Sequence, residues 1–151
     1  MRKVILSFSL ILCFIAVNAQ KYGKLDVAKL NKLLIEKKVT VYTFDSISEY
    51  NGLIGTYKNA NGDELIISFD PPSRFQEVLK EKKEGTKITK FKKAKTNLIY
   101  FENEFISVIY IDLPDFEVTM SLTSGSVGKE ALEKLYGEIN PEELFKAALV
   151  K

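Results

Sequence analysis

The 151-residue chain contains no histidine and no tryptophan, and its one cysteine, Cys13, lies inside an N-terminal apolar run. Each absence removes a mechanism. Without histidine there is no Ser-His-Asp or Cys-His catalysis. With neither histidine nor cysteine after residue 19, zinc sites and haem ligation built on those residues are excluded too. No disulfide can form there, so that part of the chain holds together by packing alone. An enzyme made from these residues would have to work with carboxylates, lysine, tyrosine, serine or an oxygen-bound metal.

Long apolar stretches are also missing. The longest, residues 4–17, has fourteen residues, shorter than the roughly 18 to 20 that span a bilayer. Arg2 and Lys3 precede it and Val17-Asn18-Ala19 follows, which is the layout of a signal peptide cleaved after Ala19. Cys13 follows Leu12 and belongs to the apolar run; it does not have the setting of a lipid-modified cysteine. The expected product is exported to the periplasm or beyond, as one domain covering residues 20–151. The leader holds two of the 22 basic residues and none of the 20 acidic ones, so the remainder is formally neutral. A neutral protein has no global attraction to nucleic acid or to anionic membranes.

What is present centres on residues 98–122, which read as three successive strands: 98–101, 105–113 and 116–122. The middle one is apolar at odd and even positions alike, as in a strand covered on both faces. The last one alternates. Phe116, Val118, Met120 and Leu122 share one side, with Glu117, Thr119, Ser121 and Thr123 on a side expected to be wet.

Upstream, Val27, Leu30, Leu33 and Leu34 predict a helix over 26–37, followed by a strand over 39–44 and a polar loop over 45–51. A hairpin is expected from 53–58 and 64–69, turning at Asn61-Gly62. Ser73 and Gln76 fit a capping box for a helix that Gly85 ends. A lysine-rich strand over 86–91 and a turn over 92–95 lead into the central stretch. Leu132, Leu135, Tyr136 and Ile139 mark a helix, and Asn140-Pro141 opens a last short one. The expected fold is α+β, a mainly antiparallel sheet with a C-terminal four-strand meander and helices on one face.

Charge is densest over 80–95, with eight lysines against Glu81 and Glu84. Lys87, Lys90, Lys92, Lys93 and Lys95 are candidates for contact with an anion. The competing reading is a solvated edge strand, where lysine blocks edge-to-edge pairing. In a simple meander the 92–95 turn and the Pro114-Asp115 turn share one end of the sheet. Lys92, Lys93 and Lys95 then approach Asp112, Asp115 and Glu117. Those acids lie about 26 Å along a strand from Glu102 and Glu104, so the two groups cannot form one glycosidase site. Ser126-Val127-Gly128-Lys129 fits Ser-x-x-Lys but lacks the partner motifs of the serine β-lactamases, and Ser126 reads as a helix cap. The second candidate surface is the Glu117, Thr119, Ser121 and Thr123 face. No catalytic residue, metal ligand or cofactor site stands out.

In layout, the chain resembles small uncharacterised bacterial exported α+β proteins, including extracytoplasmic sensory modules. In these an antiparallel meander ends in a polar loop and a Leu-rich helix, here residues 119–136. The resemblance covers about two-thirds of the chain and carries over no functional residues. The expectation is a non-enzymatic binding module for a protein, glycan or lipid of the cell envelope. The alternatives are a carrier holding an apolar molecule between sheet and helices, and a carboxylate-based hydrolase.

Overall fold

The computed structural model describes residues 24–49, 53–81, 84–125 and 127–150. The expected signal peptide, Ser126, Lys82 and Lys83 lie outside them. The elements are α1 (Val27–Glu36), β1 (Thr43–Ser48), β2 (Leu53–Lys58), β3 (Glu64–Asp70), α2 (Ser73–Lys80), β4 (Lys87–Lys93), β5 (Thr96–Glu102), β6 (Ser107–Leu113), β7 (Val118–Ser124), α3 (Lys129–Ile139) and α4 (Pro141–Ala148). A 3-10 turn, Pro114–Phe116, links β6 to β7. The strands form one antiparallel sheet in the order β1-β2-β3-β7-β6-β5-β4. The expected hairpin and four-strand meander are both present, joined where β7 pairs with β3.

The main core lies on one face of this sheet. Leu30 and Leu34 of α1, Leu132, Leu135 and Ile139 of α3, and Leu144, Phe145 and Ala148 of α4 pack there. They meet Leu53, Tyr57, Leu65, Ile67 and Phe69 on one half of the sheet and Leu98, Tyr100, Ile109, Ile111, Met120 and Leu122 on the other. Asp26 caps α1 by accepting a 3.0 Å hydrogen bond from the Lys29 amide. Tyr57 closes the other end of that helix, its hydroxyl donating 2.6 Å to the Leu34 carbonyl. Burial pushes the Tyr57 phenol up to about 12.

The opposite face has a smaller core, where Phe75 and Val78 of α2 cover Ile99, Phe101 and Val108. Arg74 ties this helix down, with its guanidinium 5.6 Å from the Tyr110 ring centre and 2.8 Å from Glu81. Thr119 and Ser121 are therefore buried, contrary to the expectation of a wet side. Their hydroxyls are satisfied inside the protein: Thr119 donates to the Pro72 carbonyl at 3.4 Å, and Ser121 bonds Ser68 at 2.6 Å.

Several boundaries shift for local reasons. The strand expected over 39–44 runs over Thr43–Ser48 instead. Val41 takes φ +65° in a tight turn closed by the Tyr42 amide on the Val39 carbonyl, and so breaks the extended run. A bulge between Phe44 and Ser46 then carries the polar residues into register with β2. Phe105 and Ile106 precede β6, because the Asn103 side chain accepts from both of their amides at 2.9 Å and folds them into a turn. No capping box forms at Ser73, since Pro72 is the N-cap and makes no side-chain bond. The cap role expected of Ser126 falls to Gly128. The hairpin turn is held by Asn59, whose side chain accepts from the amides of Asn61 and Asp63, with Gly62 at φ +85°.

The two ends of the described chain are stitched together. Leu25 bridges Leu149, the Asp26 amide donates to the Ala148 carbonyl at 2.8 Å, and the Val150 amide donates to Lys24 at 2.9 Å. Among the described residues, no helix is long and apolar enough to cross a membrane.

Candidate functional site

The five candidate lysines lie on β4 and the turn after it, and alternation divides them. Lys87 and Lys93 point with Thr89 and Phe91 toward α3, whereas Lys90 and Lys92 lie with Ile88 on the α2 side. Lys87 sits 3.9 Å from Glu102. Lys93 is half-buried, donates 3.1 Å to the Glu133 carbonyl and lies 5.5 Å from the Tyr136 ring centre. Lys90, Lys92 and Lys95 are exposed, and no ion pair among the described residues uses them. The five lysines thus separate into Lys93, packed into the fold, Lys87, exposed beside an acid, and three that are exposed without an ion pair among the described residues.

The expected approach of lysines to the acids is met by Lys95 alone. A surface cavity of about 210 Å³ brings Lys95 together with Asp112, Asp115, Glu142 and Lys146. Its remaining wall is Thr96, Leu113, Pro114 and Phe116. Lys92 and Lys93 do not line it, and neither does Glu117, which holds φ +58° just before β7. Thr96 is buried at the rim and donates a short hydrogen bond to Glu142, and Asn97 donates to Asp112 at 3.4 Å. Glu142 and Lys146 come from α4, which Phe145 anchors against Phe69 and Phe116, both ring centres at 5.4 Å. Those two residues had no signal of site membership in the chain, because only helix-to-sheet packing brings them there.

The expected sheet-face surface is corrected in the same way. Of Glu117, Thr119, Ser121 and Thr123, the middle two are buried beneath α2, Thr123 is half-buried and Glu117 lies outside the strand. Besides Lys90 and Lys92 of β4, what remains uncovered on that face is Ile54, Thr56, Ile66 and Ser68 of β2 and β3, each half-buried.

Two broader depressions lie at the opposite end of the sheet. One, about 640 Å³, is lined by Lys87, Thr89, Tyr100, Glu102 and the start of α3; the other, about 470 Å³, by residues 84–86 and 103–105. Neither these two nor the 210 Å³ cavity touches Ile109 or Ile111 of the central strand, both fully buried in the main core. Burial raises the Tyr100 phenol, and the nearby Ser107 hydroxyl opposes that shift. Among the described residues, no group of three or more carboxylates could hold a metal ion.

Set against known protein families, curated sequences and solved structures, the chain matches none.

Proposed function

We propose that the protein is an exported, non-enzymatic binding module that grips an anionic glycan of the cell envelope along its β4 edge. The observation that supports this reading is the division of the lysines. Lys90, Lys92 and Lys95 stay exposed and unpaired among the described residues, while Lys87 and Lys93 are drawn into contacts with Glu102 and α3. Lysine is a strongly hydrated point charge on a flexible stem, suited to anions with irregular spacing. The formal neutrality of residues 20–151 makes such a grip local to this edge. The expected leader supports this reading, since an exported protein meets acidic polysaccharides.

The test is retention on an anionic glycan resin. Retention is expected to be salt-sensitive, and Lys90→Gln with Lys92→Gln should bring elution down to about half the original salt concentration. Lys32→Gln, which neutralises a solvent-exposed lysine of α1 beside Glu36, serves as the control and should elute unchanged. Identical elution of the double variant and the original protein would refute the β4 grip.

A further inference from the structure

The cavity between the meander and α4 has a property that the lysine edge lacks: residues of both charges line one small space without forming ion pairs with each other. Lys95 and Lys146 supply two cations, and Asp112, Asp115 and Glu142 supply three anions. None of the ion pairs among the described residues joins any two of them. Two of the carboxylates are held in place from within, Glu142 by Thr96 and Asp112 by Asn97, whereas the side chains of Asp115, Lys95 and Lys146 form no hydrogen bond or ion pair among the described residues. At about 210 Å³ the space is below the 300 Å³ or so of a drug-sized site.

We infer that this cavity binds a free α-amino acid, and binds basic amino acids best. An α-amino acid carries its carboxylate and ammonium on one carbon, so it can meet Lys95 or Lys146 with one group and Asp115 with the other. Both contacts are charge-assisted hydrogen bonds. The side chain sets the preference. With two cations and three anions, the lining has a formal charge of −1, and a ligand of charge +1 leaves the occupied site neutral. Lysine and arginine satisfy this and glutamate does not. The apolar stem of a basic side chain also has Leu113, Pro114 and Phe116 to lie against. This inference stands apart from the glycan grip, with which it shares only Lys95.

The experiment is a two-dimensional amide NMR titration of the protein with L-arginine, L-glutamate and agmatine, which is arginine without its carboxylate. L-arginine is expected to produce saturable shifts in the amides of residues 95–96, 112–113, 115–116 and 142–146, at least about tenfold tighter than the other two. Asp115→Asn should weaken L-arginine about tenfold while keeping the dispersed spectrum of a folded protein. Lys90→Gln with Lys92→Gln should leave that affinity unchanged, which separates this site from the edge. No saturable shift in those residues up to about 10 mM L-arginine overturns the inference. Equal binding of agmatine overturns it as well, because the carboxylate would then have no partner.

Discussion

The two halves of the sheet are covered differently. In the β4–β7 half, α3 and α4 lie on one face and α2 on the other, and β5, β6 and β7 are buried on both sides at most positions. In the β1–β3 half, α1 covers one face, and along β2 and β3 fully buried residues alternate with partly buried or exposed ones. Their outer edges differ as well. β4 pairs regularly over seven residues and carries four lysines; β1 has no lysine and instead bends at a bulge. Charge and bulging are two known ways to keep a free edge from pairing with another chain. Only the β4 edge carries a row of cationic side chains that can also serve as contacts for an anion.

The sharpest way to break this contrast is to remove the second cover. Phe75→Ala should destabilise the protein by about 3 to 5 kcal/mol, whereas Ile66→Ala on the uncovered face should cost only about 1 kcal/mol, both read by chemical denaturation. Equal losses would mean that α2 is not a structural roof. A smaller effect concerns the α1 half. Tyr57→Phe removes the hydroxyl bonded to Leu34 and should cost about 0.5 to 1.5 kcal/mol, the worth of one hydrogen bond, because the Leu34 carbonyl keeps the Lys37 amide as a donor. The same residue sets an alkaline limit. The Tyr57 phenol is raised by burial, so its contribution is complete below the ordinary tyrosine value near 10 and fades as pH climbs toward about 12. A denaturation midpoint that falls across that window in the original protein, and falls less in Tyr57→Phe, is the expected result. The smallest effect lies beside the bulged edge. Val41→Gly should stabilise the fold by up to about 1 kcal/mol, because φ +65° is costly for a β-branched residue and open to glycine. A lower melting temperature would show that the Val41 side chain contributes more than its backbone costs.

Much of the meander could be read directly from the residues. Val118, Met120 and Leu122 alternate, and they do line the main core. The doubly apolar middle strand is covered on both faces, as its pattern predicts. The wet side of the last strand was not legible, because Thr119 and Ser121 look polar until α2 folds back and Pro72 and Ser68 take up their hydroxyls. The start of the first strand is not legible in the residues, because a valine occupies a turn position where a chain ordinarily uses glycine. The mixed-charge cavity was half legible. Turn order alone brings Lys95 to Asp112 and Asp115, but Thr96, Glu142 and Lys146 join only through the seating of Phe145.

The stitch between the ends has a mechanical meaning. Residues 24–26 and 148–150 are linked by one bridge made of two backbone hydrogen bonds, so a force pulling residues 24 and 150 apart loads that clasp first. The seven strands stay out of the load path until it opens. Tension between the two ends would therefore first release a short length of chain at a low force, and the sheet would bear load only after that.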